Sequence, residues 1–104
     1  MYKLTEEEIK GIILEYGGSI STIEKIEKNL NLSGKVQDEE DYKELVVASV
    51  SFYESMKLIA SQSDRRKDRI KNYMSLEEIT ETILRRYEIE KNIESDVEEN
   101  DMVK

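Results

Sequence analysis

The stretch YKELVVASVSFYESMKLIA, residues 42–60, is the part of the chain around which the rest is organised. It is the one long run rich in large apolar side chains, and charged segments flank it on both sides. Its apolar positions recur at intervals of three and four, which is the spacing of a wide apolar stripe on a helix. The positions in this stripe are Tyr42, Leu45, Val46, Ser49, Phe52, Tyr53, Met56, Ile59 and Ala60. The pattern predicts a long central helix that other helices must cover.

Three further helices are predicted from their start signals. Each begins with a hydroxyl residue followed three positions later by glutamate, which is the spacing of a capping box. The pairs are Thr5 with Glu8, Ser21 with Glu24, and Ser75 with Glu78. The glycines at 17–18 are expected to end the first of these helices. Residues 29–31 (Asn-Leu-Asn) are expected to end the second, because asparagine competes for backbone hydrogen bonds.

These signals together predict an all-α fold, a small bundle of about four helices with a long central helix. A helical hairpin is expected over about 5–31, the central helix over about 39–60, and a closing helix over about 75–93. Whether residues 39–72 form one helix or two stays open. Residues 1–93 are interpreted as a single domain and residues 94–104 as a disordered acidic tail, which has almost nothing to bury.

The composition narrows the classes of function. The chain has 104 residues and a net charge of −8, with no cysteine, histidine, proline or tryptophan. The absence of histidine and cysteine removes the commonest general base and the usual transition-metal ligands, and no Gly-rich phosphate loop or known nucleophile motif is present. We therefore expect no enzymatic activity, no cofactor and no metal.

The expected location is the cytoplasm. The amino terminus is acidic and amphipathic, unlike a signal peptide, and no apolar run approaches membrane-spanning length. Abundant Lys, Glu, Ile and Asn are typical of an AT-rich bacterium or its phage.

A partner protein is the most favoured ligand. The central helix is apolar almost all round between Leu45 and Tyr53, so either three helices surround it or a second subunit covers part of it. We expect the second arrangement, a homodimer, because three short helices give limited cover. The chain has six tyrosines and one phenylalanine, a bias that is typical of protein interfaces, because tyrosine buries its ring and keeps its hydroxyl exposed to solvent. The predicted partner-binding residues are Tyr42, Val46, Val47, Val50, Tyr53, Tyr73 and Tyr87. The favoured function is that of a non-catalytic regulator, inhibitor or adaptor.

A nucleic-acid-binding module is the first alternative. Residues 18–32 resemble the second and third helices of some helix-turn-helix modules. A recognition helix presents basic or amide side chains outward, whereas here Lys25 and Lys28 are interleaved with Glu24 and Glu27. The mildly acidic body of the chain also repels nucleic acid overall, so this binding is not the favoured interpretation.

A basic cluster follows the central stretch. It consists of Arg65, Arg66, Lys67, Arg69 and Lys71. The preferred interpretation is a solvated helix end, because runs of charged residues usually lie on solvent-exposed faces. The alternative is a surface that contacts an acidic partner or nucleic acid. A second alternative for the whole chain is an oligomeric component of a phage or conjugation machine.

Residues 29–40 resemble an EF-hand calcium loop. Gly34 falls at the sixth position and Glu40 at the twelfth. Asn29 takes the place of the usual aspartate at the first position, so Glu40 would be the one carboxylate at a standard side-chain ligand position. We interpret the segment as a polar connection between helices.

Overall fold

The structure, a computed structural model, describes residues 1–62 and 74–103, and it describes side chains for residues 1–61 and 74–93. Four helices make up most of these residues: α1 (Glu6–Tyr16), α2 (Ile20–Ser33), α3 (Glu39–Gln62) and α4 (Leu76–Val103). The all-α fold class and the helix number are therefore confirmed. The helices α2 and α3 each contact all three of the other helices, so these two helices form the centre of the bundle.

Two of the predicted capping boxes lie at helix starts. The Thr5 hydroxyl accepts the Glu8 N–H at 3.1 Å, and the Glu8 carboxylate accepts the Thr5 N–H at 2.9 Å. Lys43 of α3 forms an ion pair with Glu8 at 2.9 Å. The Thr5 N–H, with Lys43 as the second cause, holds the pKa of Glu8 below its ordinary value. At the start of α4, the Ser75 hydroxyl accepts the Glu78 N–H at 3.2 Å.

The predicted start of α2 at Ser21 is wrong. The capping residue is Ser19, whose hydroxyl accepts the Thr22 N–H at 3.2 Å. The reason lies in the two glycines before it: Gly17 has φ +90° and Gly18 has φ +93°. These positive-φ conformations, which glycine adopts readily, turn the chain within two residues, so the next helix begins at once.

The predicted end of α2 at residues 29–31 is also wrong, because the helix continues to Ser33 and ends at Gly34, which has φ +67°. The Asn29 amide donates to the Thr80 hydroxyl at 3.4 Å, and the Asn31 amide bonds the backbone of Tyr2. Both side chains are held by distant groups and do not compete with their own backbone. Residues 29–33 are thus the last turn of a helix and do not form a calcium loop.

The core draws side chains from the amino-terminal segment and from all four helices. Its buried apolar members are Leu4, Ile12, Ile23, Ile26, Leu30, Tyr42, Leu45, Val46, Val50, Ile79, Ile83, Leu84 and Tyr87. The apolar stripe of α3 is buried only in its first half, since Val46 is fully buried whereas Ile59 is 65% exposed. The α1–α2 turn meets α3 beside Val50 and Glu54. Half of α3 is therefore enclosed by three helices of the same chain.

The spacing of apolar residues predicts that Tyr16, Ile89 and Ile93 face inward, but all three are exposed. Tyr16 is the last residue of α1, and Ile89 and Ile93 lie on α4. Ile89 and Ile93 follow the buried Ile83 by six and ten positions, which places them roughly 120° and 80° around the helix from it. They point away from the core face for that reason.

Two predictions concern residues that the structure describes only in part. Whether the central helix extends to residue 72 concerns residues 63–73. The backbone of α4 passes the predicted end at residue 93 and runs to Val103. The side chains of residues 94–103 lie outside the description, as does Lys104, so the disordered acidic tail stays a prediction. Over the described parts of the chain, no helix combines the length and apolar character needed to cross a membrane.

We predict that Ile26→Ala lowers the free energy of unfolding by about 3 kcal/mol, because Ile26 is fully buried and its loss leaves a cavity. Leu32→Ala is the matched control on the same helix, where the side chain is 74% exposed, and its effect should stay within about 0.5 kcal/mol. Urea denaturation followed by circular dichroism measures both values. Equal losses in the two variants would contradict this packing.

Candidate functional site

The predicted partner-binding residues do not form one surface. Four of them are buried in the chain's own core: Tyr42, Val46, Val50 and Tyr87. These four cannot offer a surface to a partner in this fold, because helices of the same chain already cover them. Val47 and Tyr53 are half-buried on α3, and Tyr73 lies outside the described residues.

The structure describes the basic residues of α2 but not those of the predicted basic cluster. The predicted contact residues Arg65, Arg66, Lys67, Arg69 and Lys71 all lie outside the described residues, so their role stays a prediction. On α2, Lys25 and Lys28 are exposed together with Glu24. Glu27, which was expected to balance them on the wet face, is only 8% exposed. That expectation is wrong because the Glu27 carboxylate binds groups inside the fold.

Glu27 joins three parts of the chain. Its Oε1 accepts the Leu4 N–H at 2.8 Å and the Tyr42 hydroxyl at 2.7 Å. One carboxylate on α2 thus binds the amino-terminal segment and the start of α3. A buried carboxylate requires such partners, because its transfer from water without them is very unfavourable.

Asn31, one turn further along α2, binds the same segment. Its side-chain oxygen accepts the Tyr2 N–H at 3.0 Å, and its amide group donates to the Tyr2 carbonyl at 3.0 Å. The Tyr2 ring stacks on Tyr42, with ring centroids 5.2 Å apart and planes inclined by 29°. We call Glu27, Asn31 and Tyr42 the clamp, and residues 1–4 the amino-terminal segment.

Burial, with the Glu27 hydrogen bond as the second cause, raises the pKa of Tyr42 well above its ordinary value. Tyr42 therefore keeps its proton at neutral pH and stays a hydrogen-bond donor to Glu27. The sequence carried a signal for this arrangement that the sequence analysis missed. Glu27 follows Ile23 by four positions, on the apolar face of α2 where a charged residue needs a buried partner.

A second polar cluster joins the start of α3 to α4. The Tyr87 hydroxyl donates to Asp41 Oδ2 at 2.7 Å and accepts the Gln37 N–H at 3.2 Å. The Lys91 amine lies 3.3 Å from the same Asp41 oxygen. Burial, with the Asp41 hydrogen bond as the second cause, raises the pKa of Tyr87. These contacts hold α4 antiparallel to α3 and fix the crevice between them.

A groove opens along this crevice. It has a volume of about 410 Å³. Its lining residues are Ala48, Ser51, Phe52, Ser55, Met56, Ile59, Ile83 and Arg86. Arg86 is the one charged residue in this set, and Ile59 of α3 is 65% exposed. We call this feature the α3–α4 groove.

Within the described residues, no three acidic side chains converge into a group that could hold a metal ion. In comparisons with known proteins, the chain matches no family model, no curated protein and no solved structure. The function is therefore inferred from the groove and the clamp themselves.

We predict that Tyr42→Phe lowers the free energy of unfolding by about 2 kcal/mol at neutral pH, because the buried Glu27 carboxylate loses a hydrogen bond. The folded chain keeps the Tyr42 proton at pH values where the unfolded chain releases it, near the ordinary pKa of 10.0. The stabilisation that the protonated Tyr42 hydroxyl provides is fully present below the ordinary pKa of tyrosine. It is lost as the pH rises through the raised pKa of Tyr42 in the folded chain. The difference between wild type and variant should therefore shrink above about pH 10.

Urea denaturation at several pH values measures this difference. Tyr16→Phe is the matched control, because Tyr16 is exposed, and it should change the free energy of unfolding by less than about 0.5 kcal/mol at every pH. Equal losses in the two variants, or a Tyr42→Phe difference that does not change with pH, would contradict the clamp geometry.

Proposed function

We propose that the chain is a non-catalytic protein that binds a partner protein, as regulator, inhibitor or adaptor, by holding an amphipathic helix of that partner in the α3–α4 groove. One observation supports this most strongly. A mainly apolar groove of about 410 Å³ stays open to solvent on a chain in which 38% of the residues are charged. An open apolar groove on such a surface is typical of an interaction site.

The dimensions of the groove suit a helix. Its lining on α3 extends from Ala48 to Ile59, which spans roughly 16 Å or three helical turns. Ala48, Ser51 and Ser55 are small and leave room for a partner to approach the α3 backbone. Phe52 and Ile59 add apolar surface for side chains at positions i, i+3 or i+4, and i+7 of a bound helix.

The charged residue of the groove indicates which side chains the bound helix should carry. Arg86 lines it on the α4 side and provides a guanidinium that can bind a carboxylate in bidentate fashion. The bound helix should therefore have an apolar face with an aspartate or glutamate on its flank. Apolar contacts supply the affinity in such an interface, and a charged pair at the edge supplies orientation and selectivity.

We predict that Ser55→Glu weakens partner binding at least about tenfold, because it puts a carboxylate into an apolar contact. Ser55 is exposed, so the substitution should leave the fold intact. Ser21→Glu is the matched control, because Ser21 is exposed on α2 and is not part of the groove. The immobilised wild type and both variants are compared by quantitative capture from lysate of the native host.

The proposal requires proteins that wild type and Ser21→Glu retain and Ser55→Glu loses. Retention by all three chains would exclude the groove as the binding surface. Recovery that nuclease treatment abolishes would favour the nucleic-acid alternative instead. Sedimentation of the same chains tests the predicted homodimer: a wild-type dimer that Ser55→Glu dissociates would assign the groove to a second copy and not to a different protein.

A further inference from the structure

The amino-terminal segment is bound to the bundle as a separate peptide would be. Residues 1–4 belong to no helix or strand. Their main chain is held by side chains: Asn31 binds both the N–H and the carbonyl of Tyr2, and Glu27 binds the N–H of Leu4. Backbone groups of a short extended peptide are commonly recognised in this way.

The side chains of the segment alternate between the solvent and the bundle. Met1 and Lys3 are exposed, whereas Tyr2 is half-buried and Leu4 is only 4% exposed. Alternation with a period of two is the pattern of an extended chain lying on a surface. The site thus recognises an aromatic ring, which stacks on Tyr42, and a leucine two positions later.

The groups that recognise the segment belong to α2 and α3. Glu27 and Asn31 lie one turn apart on α2, and the hydroxyl of Tyr42 on α3 holds the Glu27 carboxylate in position. These helices form the core with each other and with α4, so the clamp is built on rigid elements. The bound segment lies outside every helix, and segments outside regular secondary structure open more readily than core helices.

We propose that the clamp is a binding site for an extended segment of a partner protein that has an aromatic residue and a leucine two positions apart. Residues 1–4 occupy this site as an intramolecular competitor. The clamp shares no residue with the α3–α4 groove, so this inference does not depend on the proposed function. A tethered segment has an effective concentration on the order of millimolar, and a partner must displace it to bind.

The test uses full-length chains and a fluorescent hexapeptide with the sequence of residues 1–6. The variant Tyr2→Ala/Leu4→Ala weakens the competitor, because it removes the ring that stacks on Tyr42 and the buried leucine side chain, and it leaves the clamp residues unchanged. We expect this variant to bind the hexapeptide at least tenfold more tightly than wild type in fluorescence anisotropy. Adding Asn31→Ala to it should abolish binding, and a hexapeptide with alanine in place of its tyrosine and leucine should not bind.

A folded double variant that does not bind the hexapeptide would overturn the inference, as would equal binding of the alanine peptide. Circular dichroism and thermal melting establish that the variants are folded. If the double variant does not fold, the single variant Tyr2→Ala replaces it, since Tyr2 is only half-buried. If neither folds, the segment is an indispensable part of the core and the inference fails. Ser55→Glu should leave hexapeptide binding unchanged, which separates this test from that of the groove.

Discussion

The structure depends on the enclosure of the first half of α3 by three helices of the same chain. Val46 and Val50 are fully buried there, although the helix is apolar almost all round at this level. Burial of these side chains stabilises the fold roughly in proportion to the apolar area removed from water. The second half of α3 lacks this cover, and its exposed Ile59 lines the groove. One helix therefore provides both the core and the candidate binding surface.

Buried polar groups determine how the other elements attach to this helix. The Glu27 carboxylate must find donors inside the fold, and it finds them in the Leu4 N–H and the Tyr42 hydroxyl. This requirement positions the amino-terminal segment against α2 and α3. The Tyr87–Asp41 hydrogen bond has the same effect for α4. Both clusters pair a tyrosine hydroxyl with a carboxylate, which explains why Tyr42 and Tyr87 are buried in the core.

Local signals in the sequence predicted much of the fold. Thr5 and Ser75 cap their helices because an N-cap requires only groups within three residues. The N-cap of α2 could not be predicted from local spacing alone, because it depends on the conformation of the two glycines before it. That conformation makes Ser19, and not Ser21, the capping residue. The partners of Glu27 and Asn31 could not be assigned from local patterns, because they are more than ten residues away in sequence. The candidate sites depend on such distant contacts and on which half of α3 stays uncovered.

Native-state hydrogen exchange along α3 tests this account most directly. Amides of residues 46–50 are expected to exchange only through global unfolding, and amides of residues 58–61 are expected to exchange much faster through local opening. Neither rate should depend on protein concentration, because helices of the same chain supply the cover. Uniform protection from residue 42 to residue 61 that increases with protein concentration would contradict the account. It would show that a second subunit covers the part of α3 that is open here.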